Sequence, residues 1–299
     1  MNGLIIVDKP NGLTSHDVVA RIRRILKTKR VGHTGTLDPF ATGVMVVLIG
    51  QATRLAQFLD KDDKEYEATV RFGFETDTGD LTGKPTADQG LPDDELARRV
   101  READWKDILA RFRGELMQVP PMYSAKKVDG QKLYKLARKG QMIERKPVPV
   151  TVHELELLGI DQPFGPTAHI RVACSAGTYI RTLAEDIGRV VGVGSHLSEL
   201  RRTRAGRFGI SQAATIEAID SLPDPSSSII PMNEAVAHFR EFVLTGDRPA
   251  KTKNGLSTRT DEVLSDGDFV RMIDEQNTLV AIGEYIMAEK IVQPKVVFG

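Results

Sequence analysis

The stretch Gly32 to Gly43 reads Gly-His-Thr-Gly-Thr-Leu-Asp-Pro-Phe-Ala-Thr-Gly, and Asp38 within it is the only acid between Asp17 and Asp60. Three glycines allow backbone to approach a ligand closely, and Pro39 fixes the chain just after the carboxylate. A lone carboxylate in basic surroundings is expected to have its pKa held down and to stay ionised, as a nucleophile or base must be. An aspartate before a proline is also an ordinary turn residue, so the local pattern leaves both roles open. His33 shares the loop, where an exposed histidine would be equally ordinary. The six histidines (His16, His33, His153, His169, His196, His238) lack the paired spacing of metal ligands, so no metal is expected. The single cysteine, Cys174, sits in an alternating apolar pattern that suits a buried inert thiol better than a nucleophile.

Composition narrows the class. The 299 residues carry 41 Lys+Arg against 41 Asp+Glu, and 40% are apolar, which fits about two globular domains rather than a disordered chain. One cysteine excludes an internal disulfide framework and suits a reducing compartment. The first ten residues do not read as a signal peptide, and no apolar run reaches the ~18 residues of a membrane span. A cytoplasmic protein with no membrane partner is expected. Net neutrality conceals asymmetry: Arg111 to Pro149 holds ten Lys/Arg against Glu115, Asp129 and Glu144, a local charge of +7. Residues 1–60 and Arg189 to Arg207 each carry +4, and the balancing acid lies at Glu75 to Asp107 and Thr215 to Asp247. Each basic stretch alone fits a solvated face. Three brought together by folding would make a positive cleft for a phosphate backbone.

The elements that must position these groups follow from period and punctuation. Leu4 to Val7 reads as a short buried strand. Thr14 with Asp17 reads as a capping-box variant opening a helix through Val18, Val19, Ile22, Ile25 and Leu26. Residues 31 to 43 read as loop, leading into an apolar run over Val44 to Ile49. Tyr66, Ala68, Val70 and Phe72 alternate with polar residues as a half-buried strand, which makes Tyr66 a core aromatic on parity alone. The acidic stretch after Asp93 and the stretch Tyr179 to Val190 read as helices; on the latter, Arg181 by itself would be a surface cation, and Tyr179, like Leu200 further on, ordinary core. Strands and helices without a steady βαβ rhythm argue for α+β. Ser221 to Pro231 has linker composition, and a small, mostly β module follows it.

Four blocks then carry a resemblance. Asp-Lys-Pro-Asn-Gly-Leu-Thr-Ser (8–15) with the Asp38 loop, Lys-Glu-Tyr-Glu-Ala (64–68), Val-Pro-Pro-Met-Tyr-Ser-Ala-Lys-Lys (119–127), and Gly-Thr-Tyr-Ile-Arg-Thr-Leu (177–183) followed by Ser-His-Leu-Ser-Glu-Leu-Arg-Arg (195–202) resemble the TruB family of tRNA pseudouridine synthases, in family order over about two-thirds of the chain. The resemblance implies a mixed, antiparallel-rich catalytic domain over 1–225, a thumb at about 120–147, and a PUA-like RNA-binding domain over 236–299. It implies isomerisation of uridine to pseudouridine at position 55 in the tRNA T loop, with base flipping and no cofactor. Asp38 matches the nucleophile, Arg181 the arginine that pairs with it, and Tyr66 the tyrosine that stacks on the base. Tyr179 and Leu200 match the pocket lining, and His33 matches a histidine beside the everted region. Lys9 and Pro10 look like scaffold behind the nucleophile. Lys126, Lys127, Lys132 and Lys135 are expected to touch the RNA backbone. The C-terminal module resembles its family counterpart only weakly, since Arg240 to Gly299 holds eight basic against ten acidic residues. A stand-alone monomer needing no protein partner is expected. A tRNA-folding chaperone on the same fold is the alternative, as is a guide-RNA-dependent synthase, against which the lack of long basic tails argues.

Overall fold

The structure is a computed structural model. It describes the chain except residues 89, 90, 125, 129, 138, 139, 142 and 162–164, and the side chains of 87, 88, 127, 128, 132, 134 and 135.

The architecture is α+β. A nine-stranded mixed sheet consists of β1 (Gly3–Lys9), β2 (Val31–Thr34), β3 (Thr42–Ile49), β4 (Lys64–Phe72), β5 (Gly114–Gln118), β6 (Val148–Asp161), β7 (Thr167–Cys174), β8 (Ser195–Ala205) and β9 (Phe208–Gly209). Seven of these run in the order β1-β3-β8-β4-β7-β6-β5, with β2 paired to β3 and β9 to β8. All pairings are antiparallel except a short parallel contact of β8 with β3, where Arg201 and Arg202 meet Thr42 and Gly43. Gly43 makes that contact possible: its φ is +100°, and a Cβ there would lie 2.8 Å from the Arg202 backbone nitrogen. Residues 31–34 thus form a strand where composition suggested loop, because β3 supplies a ladder that outweighs the weak propensity of Gly-His-Thr.

Helix α1 (Ser15–Ile25) opens on the capping box, Asp17 N donating to Thr14 Oγ1 at 3.1 Å and Thr14 N to Asp17 Oδ2 at 2.9 Å. It buries Val18, Val19 and Ile22 against the sheet. Asp93–Glu102 is helical, with acids in its first turn and arginines in its last, the polarity the helix dipole favours. Helix α2 (Ile180–Val191) starts at the N-cap residue Tyr179 and ends at Gly192 in the left-handed region. Ile180, Leu183, Ala184 and Ile187 seat it in the core formed by β4, β7 and β8.

Beyond residue 239 a five-stranded sheet forms from Arg240–Val243, Phe269–Ile273, Leu279–Ile286, Ile291–Val297 and Thr258–Arg259, in that spatial order. It has a core of its own around Val270, Met272, Val280 and Val292. A second cluster joins it to the large sheet, with Leu4, Ile6, Val46 and Leu48 packing with Ile273, Ile282, Val296 and Phe298. The segment of linker composition is tied down as well: Leu4 and Ile230 exchange backbone hydrogen bonds of 2.9 and 2.8 Å. Among the described residues no helix is long and apolar enough to cross a membrane.

Candidate active site

Asp38 lies in the loop between β2 and β3, beside a cavity of about 250 Å³. Its loop is anchored from behind by Lys9, which is completely buried and donates to the carbonyls of Pro10 (3.0 Å), Leu13 (2.6 Å) and Pro39 (3.1 Å). Burial lowers the Lys9 ammonium to about 8, although Asp38 pulls it up. From inside the loop, Ser15 Oγ accepts from Leu37 N at 2.9 Å.

Facing Asp38, Arg181 presents Nε to Oδ2 at 3.0 Å and Nη2 to Oδ1 at 3.4 Å, a two-point grip. A cation in the first turn of a helix opposes the dipole, so its position needs compensation. The fold supplies it: Nη1 donates to Thr78 O at 2.8 Å and lies 3.5 Å from Asp80 Oδ2, and Nη2 donates to Tyr123 O at 2.8 Å. Arg181 is therefore a buried clamp and not a surface cation. Asp80 is held in turn by the Thr78 and Thr82 hydroxyls and the Thr82 amide.

The electrostatics correct one expectation. The Asp38 carboxyl is pushed above its ordinary value, not held below it, because burial outweighs the pull of Arg181, the Asp80 charge reinforces burial, and Lys9 opposes it more weakly. Basic neighbours surround the acid, but the site is drier than the sequence implies.

Tyr66, Tyr179, Arg181, Leu200 and Lys126 all line this cavity with Asp38. Tyr66 is both core and wall: it belongs to one buried cluster with Ala68 and Val70 and also lines the cavity. Burial raises the Tyr66 hydroxyl above its ordinary value against the pull of Arg202, so at neutral pH it is a donor and not a base. Tyr179 lines the cavity with its backbone gripped by Gln118, which accepts from Tyr179 N at 2.9 Å. His33 stands apart from this group. It lies on β2 with its ring 5.7 Å from that of His16, and its buried Nδ1 has no hydrogen-bond partner among the described residues. Burial pulls the His33 imidazole down, so it is neutral. The backbone of the segment with Lys127, Lys132 and Lys135 forms a short hairpin and helix over Met122, Leu133 and Leu136, while the side chains of those three lysines lie outside the described residues. Cys174 is buried, and burial drives its thiol up to about 11, an inert state.

Arg202, Lys64 and Ser124 also line the cavity, and Asp80 stands behind Arg181; none was singled out above as a site residue. Strand parity could have found Arg202, since it lies two residues beyond Leu200 and so on the same face.

The model of the TruB family pseudouridylate synthase N-terminal domain matches residues 23–180, and that of the tRNA pseudouridylate synthase B C-terminal domain matches 181–237. The chain belongs to the TruB family. It is a pseudouridine synthase, an isomerase. A protein of Solibacter usitatus named tRNA pseudouridine synthase B is 42% identical over 96% of this chain and 97% of its own length. One of the same name from Bordetella pertussis is 47% identical over 79% of this chain and 94% of its own. Among solved structures, an H/ACA RNP bound to a substrate RNA containing 2′-deoxyuridine matches with a TM-score of 0.73 at 28% identity, covering 99% of this chain and 85% of the other. A Cbf5-Nop10-Gar1 complex matches at 0.72 and 29%, with coverage of 99% and 85%. The synthase's two family models meet at residue 180, within the lining of this cavity: Asp38 and Tyr66 fall under the first, Arg181 and Leu200 under the second.

Proposed function

We propose that this synthase acts on tRNA, isomerising the uridine at position 55 of the T loop after everting it into the Asp38 cavity. The observation that carries the reading is the two-point Asp38–Arg181 pair on the wall of a cavity floored by Tyr66. Eversion costs a few kcal/mol, and a stacked aromatic returns part of it. In this reading Asp38 is the nucleophile, Arg181 orients it, Tyr66 stacks on the base, and Tyr179 and Leu200 confine it. His33, outside the cavity, faces the region the base leaves. The segment 120–147 acts as a thumb on the T arm, with Lys126, Lys127, Lys132 and Lys135 on phosphates. The C-terminal sheet is a PUA-like module touching the acceptor end, and the enzyme works in the cytoplasm as a monomer without a protein partner. The names of the relatives support tRNA as the substrate.

The experiment is pseudouridine mapping on a tRNA transcript and on an isolated T arm, with no added guide or protein. The enzyme should convert position 55 in both, and Asp38→Asn should convert neither while keeping tRNA affinity within a few fold, because phosphate contacts dominate such interfaces. Activity in Asp38→Asn would remove the nucleophile assignment, and modification only at another position would remove the T-loop assignment. A need for guide RNA would favour the guide-RNA-dependent alternative. Loss of tRNA binding in Asp38→Asn would point to a structural aspartate.

A further inference from the structure

Three arginines close together on β8 receive different treatment from the fold. Arg201 pairs with Asp8 at 2.8 Å, and Arg204 lies 3.8 Å from Glu65. Arg202, 1% exposed, has no carboxylate among the described residues within the 4.0 Å of an ion pair. Its Nε donates to Val44 O at 2.6 Å and its Nη2 to Gly35 O at 3.0 Å. Carbonyls satisfy those donors without neutralising the charge. Lys64, 6% exposed, also gives its Nζ to carbonyls, those of Asp60 and Asp62, although the Asp60, Asp62 and Asp63 charges act on it from beyond ion-pair distance. Gly35 makes room for both: a Cβ there would lie 3.1 Å from Arg202 Nη1 and 3.6 Å from Lys64 Cε.

A buried cation without a counter-charge is costly, and such an arrangement is tolerated where negative charge arrives from elsewhere. In this cavity it could arrive on a backbone phosphate or on the reacting base. Depth separates the two. Thr36 and Gly177 at the mouth are exposed and Lys126 is half-buried, whereas Tyr66, Leu200, Lys64 and Arg202 on the floor are all buried. A hydrated phosphate belongs at the mouth. The floor, where Arg202 stands opposite Tyr66 in the strand register, takes the base.

We infer that Arg202, supported by Lys64, is a catalytic residue that stabilises the negative charge on the detached uracil. The inference rests on the proposed reading of the cavity as a uridine site. In the route through the sugar, the C1′–N1 bond breaks as Asp38 bonds to C1′. The electron pair leaves with the base and spreads over N1, O2 and O4. Attack through C5 then forms the C1′–C5 bond and returns the charge to the Asp38 carboxylate as its bond to C1′ breaks. C5 loses its proton and N1 gains one, so atoms and charge balance. A fixed cation in a dry pocket strengthens this sequence where charge on the base is greatest.

The test compares T-arm RNA carrying uridine or 5-fluorouridine at the target position in single-turnover reactions, following loss of the original nucleoside. Fluorine withdraws electrons, so the fluorouracil anion needs less help. Arg202→Met should slow uridine about a hundredfold or more, and 5-fluorouridine at least tenfold less than that. Arg202→Lys should recover most of the uridine loss. Lys64→Met should show the same preference in weaker form, and it carries the comparison with Arg202→Lys if melting curves show that Arg202→Met does not fold. Equal losses on both bases would overturn the inference. So would a loss confined to RNA affinity with a shallower salt dependence, the sign of a phosphate contact. A wild-type enzyme inactive on uridine would instead sink the reading of the site as a whole.

Discussion

Asp38 and Arg181 are separated by 143 residues of chain and by 3.0 Å between Oδ2 and Nε. The same guanidinium reaches the carbonyl of Tyr123 and the carboxylate of Asp80, so one side chain ties together the Asp38 loop, the root of the basic segment and the turn that holds the buried Asp80. Each attachment can be cut separately.

With Asp38 as the proposed nucleophile, the ionised carboxylate is the form that reacts, so activity should fall as pH drops through its raised pKa. Asp80→Asn removes a like charge and should move this acid limb to lower pH. Arg181→Met removes the main counter-charge and should move the limb to higher pH, with a rate loss of about a hundredfold at neutral pH. Single-turnover rates across pH 4 to 9 check this. Limbs that stay in place in both variants would mean that another group controls the profile.

Lys9 should reveal itself in stability. Its ammonium is lowered from 10.5 to about 8 in the folded chain, so between those values the unfolded chain binds more protons and stability rises with pH, by at most ~3 kcal/mol. Lys9→Met leaves the carbonyls of Pro10, Leu13 and Pro39 without this donor. It should cost about 2–4 kcal/mol at pH 7 and flatten the rise above pH 8. Urea denaturation at pH 7 and pH 10 measures both effects, and an unchanged slope would contradict the assignment.

The Asp38 loop stood out in the sequence because its acid is isolated and its glycines and proline are local signals, while its role came only with the family resemblance. The capping box of α1, the alternating β4 and the helix after Tyr179 were readable for the same local reasons. Asp80 was not. Its surroundings, Thr76 to Lys84, read as a polar turn and stay largely exposed; Asp80 alone among its acids is buried, where it meets Arg181 from 101 residues away. The raised pKa of Asp38 was also hidden, since sequence reports which charges are near but not how much water remains between them.

Substitution separates the stacking role proposed for Tyr66 from proton transfer by its hydroxyl. Tyr66→Phe should keep binding of the everted base, followed by fluorescence of a 2-aminopurine next to the target. Tyr66→Leu should lose roughly 1–3 kcal/mol of it. If the hydroxyl moves a proton in the reaction, Phe should also turn over about a hundredfold slower. Wild-type turnover in Tyr66→Phe would leave stacking standing and remove proton transfer.

For the basic segment, neutralising Lys126, Lys127, Lys132 and Lys135 together should weaken tRNA binding and flatten its salt dependence. Each lost phosphate contact should take roughly 0.7–0.9 from the log–log slope. Chemistry on bound RNA should suffer less. An unaltered slope would take these lysines off the RNA.

The tie between Leu4 and Ile230 has a further consequence when taken with its neighbour, the pair of backbone hydrogen bonds by which Ala214 joins Ile6 and Asp8. The chain crosses the outer rim of β1 at two heights and leaves that strand few open donors or acceptors. A shortened enzyme ending before residue 214 would present a raw strand edge, a template for pairing with other copies. The smallest version of the catalytic half that stays dispersed must therefore extend through Ile230, so the proline- and serine-rich stretch serves as a hem on the sheet.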